Sequence, residues 1–479
     1  MSPLSAPQTA PLHAIVMAAG KGTRLKSDTP KVLHDLFGKP LLVRVLETLT
    51  TVHAHHPLLA AHVIVGHGRG QVQAVLAASA FPMPVSTVVQ EPQLGTGHAV
   101  LQVKQAVPDL AGSVLILSGD VPLLRAETVL DLVSAHHRQH SDLTLLTTDL
   151  SNPTGYGRVL CDAEGNVQRV VEERDATVTE KAVPTVNTGV YCLNWPTIAP
   201  LLDDLTADNA QGELYLTDVI GLAVKKGLTV RTVTLHDPSE VLGVNHRLDL
   251  SLCHEVAHQW AMARLMDGGV TILSPATTLI APEVTVGRDT VIYPGCVLLG
   301  DVTVGEGCVI GPHTTLKGEV TIGDGSQVTQ SVVSDSRVAA GSSIGPFAHL
   351  RDGAAIGSSV KIGNFVEVKN TTVADQSFAS HLAYVGDATV GRNVNLGAGC
   401  ITANFDPIRG TKHHTVIEDG VKVGCNAVLV APLTVARDAC VAAGSVITED
   451  VASGDLAIAR PRQSAIAGWV KKVRDALVP

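Results

Sequence analysis

Aliphatic residues recur at every sixth position over most of the C-terminal half of the chain. The series runs Ile280, Val286, Ile292, Leu298, Val304, Ile310, Leu316, Ile322 and Val328, and resumes as Val338, Ile344, Leu350, Ile356, Ile362 and Val368. It returns as Val390 and Leu396, and again as Val423, Leu429, Val435, Val441 and Ile447. A period of six matches neither an amphipathic helix, with its period of 3.6, nor simple strand alternation. It predicts a parallel β-helix of hexapeptide repeats, each hexad one short strand and a turn, with the aliphatic side chains stacked inward. Glycine follows many of these aliphatics, as at Gly287, Gly305, Gly323, Gly363 and Gly424. Freedom from a Cβ penalty at the corners is the expected reason. The rhythm fails between Val368 and Val390 and between Thr402 and Val423, and both stretches are expected to be inserted loops.

The N-terminal half has a different pattern. Apolar runs at Ala14–Ala19, His62–Val65, Ser86–Gln90, Val114–Leu117, Leu143–Thr148, Asn187–Leu193 and Thr229–Leu235 read as strands. Amphipathic stretches at Leu41–Thr50, Gln71–Ala78, Gly97–Val107 and Ala126–His137 lie between several of them. Alternation of this kind predicts an α/β domain with a largely parallel sheet. Its ligand site is expected at the carboxyl ends of the strands, in the loops after Ala19, Gln90, Leu117 and Leu193. Residues 248–268, free of Pro and Gly until Gly268, read as a helix linking a first domain (1–247) to the β-helix (269–479). Ser464–Val478 is expected to leave the solenoid as a tail that caps it.

Composition narrows the function. The 479 residues are 45% hydrophobic but only 3% aromatic, which suits a core of stacked Val, Ile and Leu. A net charge of −10 disfavours nucleic acid as a partner. The eight cysteines form no Cys-x-x-Cys pair and read as reduced, mostly buried thiols of a cytoplasmic protein. No leader is expected at Met1–Pro11, and no apolar run is long enough for a membrane span.

Local clusters of charge then carry the chemistry. The first strand opens into Ala18-Ala19-Gly20-Lys21-Gly22-Thr23-Arg24-Leu25, followed by Lys31. Two glycines let backbone amides approach a phosphate, and Lys21, Arg24 and Lys31 supply a surplus of positive charge that suits a triphosphate. Leu25 stands where a dinucleotide fingerprint has its third glycine, and no Walker A pattern is present. Gln90–Gly97 follows another strand with amide and hydroxyl groups that could read a base. Asp120 follows Ser118-Gly119 at a strand end, where a Mg²⁺ ligand and a helix cap are both open readings.

These motifs resemble the sugar-1-phosphate nucleotidyltransferases. Taken with Gly155-Tyr156-Gly157-Arg158, Glu172, Asn187-Thr188-Gly189, Gly243-Val244-Asn245 and the hexapeptide half, the chain closely resembles the bacterial bifunctional N-acetylglucosamine-1-phosphate uridylyltransferase / glucosamine-1-phosphate acetyltransferase family, over roughly residues 12–470. The resemblance implies an α/β nucleotidyltransferase (Rossmann-like) domain, a linker helix and a left-handed parallel β-helix. It implies UTP and UDP-sugar contacts at Met17, Ala18, Ala19, Gly20, Lys31, Gln90, Gly95, Thr96, Gly157, Glu172, Asn187 and Asn245. Asp120 and Asn245 are implied as Mg²⁺ ligands, with Arg24 and Lys31 catalytic.

For acetyl transfer the resemblance implies His381 as base and Arg351, Lys369, Tyr384 and Asn395 as ligands of glucosamine-1-phosphate. Asn404 falls where the family contacts both the sugar and acetyl-CoA, and Phe405, Cys425, Ala443 and Arg460 fall at acetyl-CoA positions. Four residues depart from the family's usual pattern: Ser118 for Tyr, Phe405 for Tyr, Cys425 for Ser and Phe378 for Lys. The implied assembly is a homotrimer, and the implied product, UDP-N-acetylglucosamine, feeds envelope glycan synthesis. Two other readings stay open at this level. One is a single-activity nucleotidyltransferase with an oligomerising or regulatory β-helix; the other is a non-enzymatic scaffold.

Overall fold

The computed structural model describes residues 11–477, so all but the last residue of the Met1–Pro11 stretch, and Val478, lie outside the described part. Two compact units divide between Ala257 and His258, inside the helix Arg247–Asp267. That helix ends at Gly268 and Gly269, the latter at φ +90°, with Val270 N–H donating to the Leu265 carbonyl.

In the first unit the main sheet has the order Val230–Thr234, Leu143–Asp149, Thr185–Asn194, Ser113–Ser118, Leu12–Ala18, Leu58–Val65, Val85–Val89. Every predicted strand is present, with ends shifted by a few residues. Along Leu12–Ala18, Leu12, Ala14, Val16 and Ala18 join one core cluster and Ile15 the other. Both faces are therefore covered, and the strands read as continuous apolar runs. The helix Leu41–His55 buries Leu42, Val45, Leu46, Leu49 and Val52, one stripe at helical spacing, on the first face. The helices Thr96–Ala106 and Asp218–Lys225 cover the second.

One expectation about this sheet is corrected. Thr185–Asn194 runs antiparallel to both neighbours, pairing Tyr191 with Ile116 and Asn194 with Ser113. Its carboxyl end therefore lies beside the start of Ser113–Ser118, away from the ligand loops. The loop after Leu193 does not face the site; the early part of the strand, Asn187–Gly189, does. A hairpin, Arg158–Cys161 with Val167–Val171, attaches to this strand and was not apparent from the apolar pattern.

The second unit is the left-handed parallel β-helix. Core residues stack on partners eighteen positions on, as Ile280 on Leu298 and Leu298 on Leu316. Three strands make one coil, and one face forms a continuous ladder from Thr271–Ile272 to Leu456–Ala457. Gly345, after Ile344, turns the chain at φ +103° as expected, but most of the glycines after the aliphatics serve a different purpose. A Cβ on Gly287 or Gly323 would stand 2.7 or 2.6 Å from backbone of the next coil, and one on Gly424 would meet Ala443 in the same way. Close stacking requires them, whereas the left-handed corners hold residues such as Asp289, Phe365 and Asp438.

The first predicted insertion is also corrected. Ala379 and Val385 are buried and continue the stack, so residues 368–390 are regular coil with hexads of five and six residues. Ala at a core position and two shortened hexads concealed the rhythm. The second break is a true insertion, carrying the hairpin Phe405–Asp406 with Thr411–Lys412. At the C-terminus, the helix Trp469–Leu477 has no buried residue, so it does not cap the last coil as expected. All eight cysteines are free, five of them buried.

Candidate active sites

In the first unit a cavity of about 420 Å³ opens at the carboxyl ends of the parallel strands. Met17, Ala18, Ala19, Gly20, Lys21 and Lys31 line it from the first loop, and Gln90, Gly95, Thr96 and Asp120 from the next strand ends. The loop's shape follows from two anchors. Leu25 is buried, and Gly22, at φ +59°, lies where a Cβ would stand 2.6 Å from Lys31 Cβ. Lys31 is thereby folded back against the loop.

Its ammonium forms an ion pair with Asp120 and donates to Asn245 Oδ1 at 3.1 Å. Arg24 donates to the same oxygen at 2.8 Å. Val244 N–H donates to the Asp120 carbonyl, which fastens the two loops together. Asp120 and Asn245 thus converge on one cation, a sequence separation that no local motif could reveal. An oxygen pair of this kind, with room for phosphate oxygens, fits Mg²⁺, which takes few protein ligands. No group of three or more His, Cys, Asp and Glu suited to a metal occurs among the described residues.

The loop Gln90–Gly97 is tightly held. Gln90 is buried, and its Nε2 donates to the Gly95 carbonyl at 2.9 Å. Thr96 Oγ1 accepts from Leu216 N–H at 3.0 Å. The hairpin brings the remaining predicted residues to one place. Asn187 N–H donates to the Gly157 carbonyl, and a Cβ on Gly157 would lie 3.5 Å from Glu172 Oε2. Burial pushes the Glu172 carboxyl above its usual range, and the Thr217 hydroxyl, donating at 3.0 Å, partly offsets this. Thr217 was missed in the sequence; nothing in its neighbourhood distinguishes it.

In the second unit His381 ends the strand Phe378–His381 at a corner of the coil. Its Nδ1 lies 2.5 Å from Asn364 Oδ1, the residue paired with it on the preceding coil. An amide oxygen only accepts, so Nδ1 carries a proton, and in the neutral ring Nε2 is the acceptor. Asn364 is a second residue that sequence reasoning missed; the coil spacing back from His381 was the available signal.

The register explains why residues far apart in sequence meet. Ala379, Leu396, Val423 and Val441 are successive partners in one ladder. Two residues beyond each lie His381, Ala398, Cys425 and Ala443, a single corner row rising about 4.8 Å per coil. Gly424 sits against Ala443 N–H, and Arg460 is the nearest side chain to Gly444. Around the same corner, Arg351 pairs with Lys369 in register, and Glu367 with Tyr384. Arg351 is bonded to Glu367 at 2.7 Å and to Asp352 at 2.8 Å. Asn404 is buried beside Tyr384, its Nδ2 3.4 Å from the hydroxyl. Asn395 is set apart from Arg351, Lys369 and Tyr384, on the sheet face that holds Phe378 and Lys422.

Comparison with known proteins fits this two-part architecture. Residues 13–238 match the nucleotidyl transferase family and residues 283–318 the bacterial transferase hexapeptide family. The chain is 45% identical to the bifunctional protein GlmU of an Exiguobacterium species, over 96% of this chain and 99% of that one. It is 46% identical to that of Synechococcus elongatus, over 95% and 97% of the two chains. With the GlmU of Carboxydothermus hydrogenoformans the identity is 44%, over 96% and 100%.

The chain belongs to the GlmU family. It is a bifunctional transferase, with a uridylyltransferase half and a hexapeptide acetyltransferase half. No helix among the described residues is long and apolar enough to cross a membrane. The four departures from the usual GlmU pattern can now be placed. Ser118 lines the 420 Å³ cavity, its Oγ 3.8 Å from where a Gly189 Cβ would lie. Phe405 and Cys425 are exposed, and Phe378 is an exposed ring between Lys361 and Asn395 in its ladder.

Proposed function

We propose that the 420 Å³ cavity binds UTP with N-acetylglucosamine-1-phosphate, and that the His381 corner acetylates glucosamine-1-phosphate. The observation that carries the first assignment is the convergence of Arg24, Lys31, Asp120 and Asn245. In uridylyl transfer a phosphate oxygen of the sugar phosphate attacks the α-phosphorus of UTP, and the bond to pyrophosphate breaks. No protein nucleophile is needed, so the chain's work is positioning and charge compensation. Gln90, Gly95 and Thr96 orient the uracil, and the amides of Ala18–Gly20 approach the phosphates. Arg24 and Lys31 stabilise charge on the transferred and departing phosphates. Asp120 and Asn245 would hold Mg²⁺, which supplies charge neutralisation between phosphate groups when bound. Gly157, Glu172 and Asn187 hold the sugar.

In acetyl transfer Arg351, Lys369, Tyr384 and Asn395 bind the sugar phosphate. The neutral amine attacks the thioester carbon, His381 Nε2 accepts its proton, and coenzyme A leaves as the thiol. Asn364 keeps the imidazole in the tautomer this requires. Asn404 would contact both the sugar substrate and acetyl-CoA, and Phe405, Cys425, Ala443 and Arg460 would contact acetyl-CoA. The corner row from His381 to Ala443 supports this, because it brings Cys425 and Ala443 into line with the base.

A homotrimer is part of the same reading. Phe347, Phe365 and Leu382 form an exposed ladder beside His381, at 52%, 57% and 61% exposure. The Phe347 and Phe365 rings stack at 5.4 Å. Another copy of the chain would cover this ladder and bring Asn395 to its ligand from a neighbouring face.

Product analysis with glucosamine-1-phosphate, acetyl-CoA, UTP and Mg²⁺, omitting each in turn, tests the assignment when run on two variants. Asp120→Ala should abolish UDP-sugar formation and leave acetylation near normal. His381→Ala should lower acetyl-transfer kcat by about 10²-fold or more and leave uridylyl transfer unchanged. Persistence of either targeted activity within a few-fold of the unaltered protein would overturn the corresponding role.

A further inference from the structure

Asp387 is a carboxylate in a place where carboxylates are costly. It is 6% exposed, and its backbone is left-handed at φ +47°. Asn370 Nδ2 donates to its Oδ1 at 2.6 Å, and Asn404 Nδ2 donates to its Oδ2. Burial would raise its pKa, but the Asn370 and Asn404 hydrogen bonds, with Lys412 and Lys369 nearby, hold it below the usual carboxylate range. Its N–H donates to the Lys369 carbonyl and its carbonyl accepts from Thr415 N–H, so the residue is fixed on both sides.

The consequence concerns Asn404. An ionised carboxylate has no hydrogen to give, so the side of the Asn404 amide facing it must be the NH₂. The same nitrogen lies beside the Tyr384 hydroxyl. The amide oxygen is left without a protein donor among the described residues, and it is not among the fully buried unpaired atoms. It is an acceptor held ready for a ligand that carries N–H.

We propose that Asp387 is a positioning residue for acetyl transfer: it locks the Asn404 amide with its oxygen toward the substrate amine, which it aligns for attack. This rests on the reading of Asn404 as a substrate contact. The amine donates one hydrogen to Asn404 Oδ1 while His381 takes another, and the nitrogen lone pair is left directed at the thioester. No bond to Asp387 forms or breaks.

The test uses the full chain, with uridylyl transfer on the same preparations as the measure of folding. Asn404→Ala should lower acetyl-transfer kcat strongly. In Asp387→Asn the new amide can donate to Asn404 Oδ1 and turn the NH₂ toward the amine. That variant should lose about tenfold or more in kcat, with a much smaller change in KM for the sugar phosphate. In the double variant D387N/N404D, the amide at position 387 donates to a carboxylate at position 404, which again offers an oxygen to the amine. The double variant should recover several-fold over D387N alone.

A merely structural role for Asp387 gives no such recovery, so a double variant no better than D387N overturns the proposal. D387N within twofold of the unaltered protein, with N404A impaired, also overturns it and leaves Asn404's role standing. N404A within twofold of the unaltered protein overturns the underlying reading of Asn404 as well. Should D387N fold poorly, the comparison of the double variant with N404A carries the same decision: the double must exceed N404A.

Discussion

At the residue scale, the proposed sugar contact most open to test is Glu172. Its carboxyl can accept hydrogen bonds from sugar hydroxyls at both oxygens only when ionised. Burial raises its pKa above the usual glutamate value, so the ionised form is lost as pH falls through a value higher than an ordinary glutamate would show, and the proposed sugar contact should weaken with it. Glu172→Gln should raise KM for N-acetylglucosamine-1-phosphate by about tenfold or more, the scale of a hydrogen bond to a charged group. It should also flatten the acid limb of kcat/KM. Initial rates of pyrophosphate release across the acid range measure both, and an acid limb unchanged in the Gln variant would assign the titration elsewhere. Residues of this kind show how far sequence reading reaches. Glu172 and Asn187 were identified by resemblance, but their meeting depends on an antiparallel strand and a hairpin. Short strands interrupted by Asp162, Glu164 and Gly165 carry too weak an apolar signal to be read in advance. Thr217, Asn364 and Asp387 act on their neighbours through hydrogen bonds, and composition gives no trace of such pairings.

At the scale of the element, the repeat was the most legible feature of the chain, because a core residue every sixth position is a direct record of the coil. Of the glycines after the core positions, Gly345 does turn the chain at positive φ, but most do not. Their cause is contact with the next coil, which only the register shows. Gly363 is the sharpest case: a Cβ there would overlap the Ser380 carbonyl oxygen. Neither atom can move without disturbing the pairing of Asn364 with His381. Gly363→Ala should therefore destabilise the β-helix by about 1–3 kcal/mol or more, as overpacking does. Acetyl transfer should fall with it, and uridylyl transfer should be spared. Thermal unfolding of the variant alongside both assays would show this; unaltered stability and acetylation would mean that the coils can part at this point without cost. The apparent break at 368–390 was misread because Ala379 is a small core residue and two hexads there are one residue short. The break after Thr402 was read correctly because a real hairpin departs from the stack.

At the scale of the whole molecule, the first unit carries its own core. Its two clusters run from Leu12 to Val241 and from Ile15 to Val230, so neither draws on the β-helix. A fragment of residues 1–257 should fold alone and keep uridylyl transfer while lacking acetyl transfer. Circular dichroism and both assays test this; a folded but inactive fragment would show that the nucleotide site needs more than its own unit.

The β-helix has a different kind of independence, because each coil is paired only with the coils before and after it. It behaves as a screw whose phase is counted in hexads. Removing eighteen residues from the coils before Ala348 would shorten the thread and return every later residue to the same side. Removing six would keep the same cores stacked in principle but turn everything beyond by one face in three. The corner row of His381, Cys425 and Ala443 would survive that turn intact, since its members count their positions from one another. What would change is its bearing relative to the early coils. The shaft thus stores an angle as well as a length, and a change in length can leave the acetyl site whole yet aim it in another direction.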